Sequence, residues 1–170
     1  MSDPPNQSFS ALLHEGIAAA RAGEREKARE LLTRAVKLDD RSASAWLWLS
    51  GVGDDLNNRE ACLRTALKLE PENEAAKRGL AQVRQQIVNE LLRSGIAAAQ
   101  RGQLDHARAL LTRVVEQDER NLTAWLWLSG VVTRPQDRET ALENALTLDP
   151  GNEAVRRSLE QVREQIELEA

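Results

Sequence analysis

The chain has 170 residues, of which 41% are hydrophobic and 29% are charged, and its 23 basic and 27 acidic residues give a net charge of -4. This composition suits a soluble globular protein of one domain or two small ones, and the lack of a basic block disfavours a nucleic-acid or acidic-membrane surface. No apolar run approaches the roughly 18 residues that span a bilayer, and the single cysteine, Cys62, excludes an intrachain disulfide, so we expect a cytoplasmic protein.

A short tail and then helices are predicted for the first half of the chain. Residues 1–8 are polar and contain two prolines, so we expect a disordered tail. Ala, Leu, Glu, Arg and Gln then dominate and Tyr is absent, which favours an all-α fold. The spacing of apolar residues predicts helices over about 9–22, 24–38, 43–53 and 58–69.

Capping residues and a proline mark the ends of these helices. Ser42 or Ser44 is expected to cap the third helix, and Asn57 or Asn58 the fourth. Pro71 is expected to stop the fourth helix, because proline disfavours the helical conformation in the residue before it.

The fifth helix is predicted to be long and to begin after a cap at Asn73. From Glu74 to Gln100 there is neither a proline nor a turn cluster. Apolar residues keep a helical spacing throughout this stretch, at Leu80, Val83, Ile87, Leu91 and Ile96. We therefore expect one continuous helix of about 27 residues, roughly 40 Å long.

The second half of the chain repeats the first at an offset of 79 residues. The segment Ala45–Val52 returns letter for letter as Ala124–Val131, and these two copies contain all four tryptophans. About 42 of the 77 positions from Leu12 to Val88 are identical to their counterparts. The repeat predicts a helix over 103–117, one capped by Asn121 or Thr123, one with Pro135 in its first turn, and one over 152–168. It also predicts two modules, 9–88 and 89–170, which the long helix joins into one structural unit.

Each module resembles the tetratricopeptide repeat family, whose unit is a 34-residue helix-turn-helix. Small and apolar residues stand at the family's spacings at Gly16, Gly23, Ala28, Leu32 and Ala35. The next register, from Ala43, puts Trp46 and Leu49 at the family's Trp and Leu, and Ala145–Pro150 is similar to its closing Ala-Leu-x-Leu-Asp-Pro. The resemblance implies an all-α solenoid of about nine helices in antiparallel pairs, and the Trp-Leu-Trp-Leu block resembles a variety frequent in bacteria.

Two departures from the family's pattern have structural consequences. Arg59 and Arg138 fall where the family has a small alanine. The third first-type helix lacks its partner and runs straight into the second copy, so we expect two five-helix modules that share one long helix rather than an even solenoid.

No residue pattern in the chain indicates catalysis, a cofactor or a metal site. Cys62 would be the one candidate nucleophile, but its counterpart is Ala141, which favours a small core residue. His14 and His106 are not counterparts of each other, and no His/Cys/Asp/Glu group has metal-ligand spacing. The tryptophans are expected to pack in the core; the alternative is that Trp48 and Trp127 are exposed binding anchors.

The resemblance implies a non-catalytic protein-interaction scaffold that binds a peptide or partner helix in a concave groove, formed by the first helix of each pair. The family's register assigns to this groove Leu13, Ile17, Arg21, Leu47 and Gly51 in the first module, and Leu92, Ile96, Gln100, Leu126 and Arg134 in the second. The expected partner is a protein or peptide of unknown identity, not a nucleic acid or a membrane.

The alternative is a structural role through self-association of the terminal helices into a homo-oligomer. The last helix corresponds to 73–88, which in the first module continues into a new module. Acidic residues oppose this alternative, because three positions that are Ala81, Gln85 and Val88 in the first module become Glu160, Glu164 and Glu167. Such residues are typical of a solvating cap on a terminal repeat.

Overall fold

All regular elements within residues 8–169, which are the residues that our computed structural model describes, are α-helices. They are α1 (Phe9–Arg21), α2 (Arg25–Leu38), α3 (Ala43–Val52), α4 (Leu56–Leu69), α5 (Glu74–Gln100), α6 (Leu104–Gln117), α7 (Leu122–Val131), α8 (Pro135–Leu148) and α9 (Glu153–Glu169). The predicted all-α fold is confirmed. The predicted tail lies outside the described residues except for Ser8, whose Oγ accepts a hydrogen bond from the Ala11 amide and caps α1.

Helix α5 is continuous over the predicted range. It runs for 27 residues from Glu74 to Gln100 and contains the junction between the two copies. The described chain divides into two compact units between Ile87 and Val88, one residue before the predicted module boundary. We refer to them as the first and the second unit. That they form one structural unit stays a prediction.

Helix caps follow the predictions with one exception. The Oγ of Ser42 and the Oδ1 of Asn121 accept hydrogen bonds from backbone amides at the starts of α3 and α7, and Pro135 occupies the first turn of α8. The prediction that Asn57 or Asn58 caps α4 is wrong. Asp55 is the cap, and its Oδ1 accepts from the Asn58 amide at 2.7 Å, because the helix already begins at Leu56.

Helices that follow one another in sequence pack together in each unit, α1 on α2 and α3 on α4 in the first, and α6 to α9 in series in the second. Tight turns precede α2 and α6, where Gly23 and Gly102 adopt φ of 81° and 75°. This conformation favours glycine, because a Cβ would meet the following carbonyl.

A helical glycine permits close packing at the first contact of each unit. A Cβ at Gly16 in α1 would lie 2.8 Å from Cγ of Leu32 in α2, and a Cβ at Gly95 would lie 2.9 Å from Cγ of Leu111. Both leucines are completely buried. Each such side chain contributes roughly 1.5–3 kcal/mol to folding. The small residues that carry the family resemblance therefore set the distance between paired helices.

Candidate functional site

The tryptophan-rich helices α3 and α7 are held by the same hydrogen bonds in both units. The indole Nε1–H of Trp46 donates to the backbone carbonyl of Asp40 at 2.8 Å, and that of Trp125 donates to the carbonyl of Glu119 at 2.8 Å. Each bond ties the helix to the loop before it. One tryptophan of each pair thus has a structural role that fixes where the helix begins.

An arginine from the next helix completes the carboxyl end of each tryptophan-rich helix. Arg59 Nε donates to the Ser50 carbonyl at 3.0 Å, and Arg138 Nε donates to the Ser129 carbonyl at 3.1 Å. The last carbonyls of a helix have no partner within it and need outside donors. This requirement explains why both copies place arginine where the family has a small alanine.

All four tryptophans are half-buried, so the expectation of core packing describes only part of each side chain. Trp48 packs against the core of the first unit, and Trp125 and Trp127 pack against the core of the second. Each tryptophan keeps part of its surface accessible, so these helices, which are apolar on both faces, are not fully enclosed.

The predicted groove residues of the first unit lie on α1 and α3, which contact each other. Leu13, Ile17 and Leu47 are half-buried, and Arg21 is exposed. The guanidinium of Arg21 lies over the ring of Trp48, with its Cζ 5.4 Å from the ring centroid. We call this surface the α1/α3 face, and it combines apolar side chains with a cation–π pair.

The second unit presents the corresponding α5/α7 face. Leu92, Ile96 and Leu126 are half-buried, like their counterparts in the first unit, and Gln100 is exposed. Arg134 stands apart from helix α7, because it is the N-cap residue of α8.

A cavity of about 260 Å³ opens on this face, lined by Ala99, Leu104, Leu126, Trp127, Gly130 and Val131. Sequence reasoning assigned only Leu126 of these residues to the groove. We call it the Trp127 cavity.

A larger cavity of about 540 Å³ lies in the first unit, on the side of α3 that faces α2 and α4. Trp46, Leu49 and Cys62 line it, together with an ion pair between Arg29 and Asp54. Sequence reasoning missed this site. The one signal of this cavity in the sequence was Gly53, which aligns with Val132. Val132 is buried in the core of the second unit together with Leu128 and Ala141.

The Cys62 thiol is a poor nucleophile in this setting. Burial raises the pKa of the Cys62 thiol above its ordinary value, because the thiolate loses hydration there. Within residues 8–169, no cluster of three or more His, Cys, Asp or Glu side chains is placed to hold a metal ion. Across the same residues, no helix has the length and apolarity that a membrane span requires.

A comparison with protein-family profiles identifies one family. A sequence profile described as the tetratricopeptide repeat matches residues 13–58 and 92–153, which together make up more than half of the chain. No curated protein matches the sequence significantly.

Several solved structures are similar in fold. The crystal structure of YrrB, a TPR protein with an unusual peptide-binding site, is 18% identical, with 90% of this chain and 92% of that chain covered and a TM-score of 0.45. MamA AMB-1 is 21% identical over 93% of this chain and 82% of that chain, with a TM-score of 0.41. The TPR domain of P58(IPK) is 14% identical with a TM-score of 0.48, and the match covers 95% of this chain and 57% of that one.

Proposed function

The chain belongs to the tetratricopeptide repeat family, and from that premise we propose that it is a non-catalytic scaffold that binds a peptide or a partner helix on its α1/α3 and α5/α7 faces. Proteins of this family are typically interaction scaffolds. An extended peptide or an amphipathic helix is the ligand type that a row of helix faces accommodates.

The observation that carries this proposal is the row of half-exposed apolar side chains on each face. Leu13, Ile17 and Leu47 keep part of their surface accessible on the α1/α3 face, and their counterparts do the same on the α5/α7 face. Water contact with apolar surface is unfavourable, and covering one half-exposed leucine contributes about 1 kcal/mol to binding. Three such residues on one face offer a partner an apolar anchor.

The polar residues of the faces supply orientation. Arg21 closes the α1/α3 face with a positive charge, whereas Gln100 closes the α5/α7 face with a neutral amide. Charged and polar groups at the border of an interface fix the register of a partner more than its affinity. The two faces are therefore expected to prefer different ligand sequences.

The test is capture of partner proteins from the native source with the wild-type chain and with the double variant Leu13→Glu/Leu92→Glu. A buried carboxylate on each face is expected to abolish capture, because the partner's apolar surface would have to desolvate it. Both leucines also pack against the cores. A second double variant, Ile17→Gln/Ile96→Gln, therefore makes a milder change on the same faces, and thermal unfolding verifies that both variants fold.

The matched control is Leu38→Glu, which introduces the same change at a leucine of α2 that is 58% exposed and lies off the α1/α3 face. It is expected to leave capture unchanged. Capture that survives both double variants but is lost in Leu38→Glu would reject the proposed faces and place binding on the α2 side of the first unit.

A second candidate function is self-association through α9, which one observation favours. Leu168 near the end of α9 is 88% exposed, although it is a large apolar residue. The exposed carboxylates of Glu160, Glu164 and Glu167 on the same helix oppose close contact between copies. Light scattering behind a sizing column decides between the two: a mass of 18.9 kDa at high concentration removes self-association.

A further inference from the structure

One difference between the two faces lies beside a tryptophan in both units. In the first unit the Arg21 guanidinium covers the ring of Trp48. At an offset of 79 the same positions are Gln100 and Trp127. Among the described residues, no cation lies over the ring of Trp127. The first unit therefore shows which group this surface accommodates, and the second unit lacks that group.

The surroundings of Trp127 leave room for a side chain from outside. The Trp127 cavity opens beside the ring, and its lining contains no charged side chain. Leu104, which is 45% exposed, forms one wall, and Leu126 forms another. Apolar walls contact the methylene groups of a long cationic side chain, while the indole face attracts its charge.

The charge of the second unit suits a cationic ligand. Residues 88–170 contain 14 acidic and 10 basic residues, whereas residues 1–87 contain 13 of each. The whole net charge of -4 therefore belongs to the second unit. A surplus of acidic groups attracts basic peptides and raises their rate of association.

We propose that the Trp127 cavity binds an arginine side chain of the partner peptide, with the guanidinium over the indole ring as that of Arg21 lies over Trp48. This inference rests on the proposed function, because it assumes that the α5/α7 face is a peptide-binding face, and it adds the chemistry of the partner. Arginine is preferred over lysine because the planar guanidinium stacks on an aromatic face and is more weakly hydrated than an ammonium.

The test uses the indole N–H resonances of the four tryptophans, assigned by single Trp→Phe variants of the full chain. The probe is the peptide acetyl-Gly-Gly-Arg-Gly-Gly-amide, and its control carries citrulline, the neutral isostere of arginine. We expect the Trp127 resonance to shift saturably with the arginine peptide, with an affinity roughly 2- to 30-fold higher than for the citrulline peptide. The Trp48 resonance is expected to respond little, because Arg21 already covers that ring.

Two reciprocal variants exchange the residue beside the tryptophan between the two units. Gln100→Arg is expected to remove the response of Trp127, because an internal guanidinium then fills the site as in the first unit. Arg21→Gln is expected to create a response at Trp48. Both residues are exposed, so these variants are expected to fold, and circular dichroism verifies this.

Equal affinity for the two peptides, no saturable shift at Trp127, or an unchanged Trp127 titration in Gln100→Arg would each overturn the inference. Its failure is distinguishable from failure of the proposed function. If partner capture is lost in Leu13→Glu/Leu92→Glu but the arginine peptide shows no preference, the faces bind a partner whose anchor is not a cation. If the peptide test succeeds and capture survives both double variants, the cation site stands and the wider faces are rejected.

Discussion

Arg59 donates a hydrogen bond from Nε to the backbone carbonyl oxygen of Ser50 over 3.0 Å, and this bond joins the end of α3 to the first turn of α4. Helix α3 has only ten residues, so its free carbonyls are a large share of its backbone. The same bond recurs between Arg138 and Ser129. A short helix that repeats in both copies is thus completed each time by the helix that follows.

Truncation of this arginine is expected to destabilise the protein. Arg59→Ala removes the donor to the Ser50 carbonyl, and we expect the free energy of unfolding in urea to fall by about 1 kcal/mol. Arg64→Ala is the matched control, because Arg64 is an exposed arginine of the same helix. It is expected to change stability by less than about 0.5 kcal/mol. Equal effects of the two variants would show that the carbonyl contact does not stabilise α3.

A methyl group at Gly16 is expected to disturb the contact between α1 and α2. Gly16→Ala places a Cβ 2.8 Å from Cγ of Leu32, a side chain that is completely buried. We expect a loss of roughly 1–3 kcal/mol in the free energy of unfolding. Gly95→Ala is expected to do the same in the second unit, where the Cβ would meet Leu111.

The control for both variants is Gly51→Ala in α3. A Cβ at Gly51 meets nothing within 4 Å. Because alanine forms helix better than glycine, Gly51→Ala is expected to stabilise the protein by up to about 1 kcal/mol. Destabilisation of Gly51→Ala as large as that of Gly16→Ala would mean that the substitutions act through something other than the Leu32 contact.

Loss of the indole N–H is expected to have different effects at the two tryptophans of α3. Trp46→Phe removes the hydrogen bond to the Asp40 carbonyl. Trp48→Phe keeps an apolar ring at a position whose indole N–H makes no hydrogen bond to any other residue within 8–169. We expect Trp46→Phe to reduce the free energy of unfolding by about 1 kcal/mol more than Trp48→Phe. Chemical denaturation followed by circular dichroism measures both, and a smaller loss for Trp46→Phe contradicts the structural role of its N–H.

Alkylation of Cys62 is expected to be slow and shifted to high pH. Burial raises the pKa of the thiol in the folded chain, and the thiolate is the reactive form. The alkylation rate of the folded chain is expected to rise at higher pH than that of the same chain in denaturant. By linkage, the stabilisation from this raised pKa is fully present below the unfolded pKa and is lost as pH rises through the folded pKa. A folded midpoint at or below the unfolded one would contradict the burial argument.

Local signals in the sequence predicted most of the fold. Pro71 marks the end of α4 and the cap at Asn73 marks the start of α5, because each residue acts on its own backbone or on near neighbours. The uninterrupted apolar spacing from Glu74 to Gln100 predicted the long helix. The cap of α4 was misassigned because four residues that favour caps surround Leu56, and local preference does not choose among them. In the structure the cap is Asp55, whose Oδ1 accepts a hydrogen bond from the Asn58 amide.

The contacts and cavities of the candidate site could be predicted less well from the sequence. The repeat register placed Leu13, Ile17 and Arg21 on one helix, but a register contains no information about the ring that Arg21 contacts. Arg59 was visible as a departure from the family's pattern, yet its partner carbonyl lies in a different helix. The cavities depend on which side chains are small at neighbouring positions in space, and Gly53 shows this most clearly.

Gly53 and Val132 occupy the same position in the two copies of the module, and only the second has a side chain there. The valine side chain is buried where the glycine leaves the large cavity of the first unit accessible. A compound that selects this cavity is expected to bind with a stoichiometry of one per chain, even though the chain contains the module twice. The second copy is then a built-in reference for calorimetric titration, since it has the same tryptophans but carries a buried valine, Val132, at the position of Gly53.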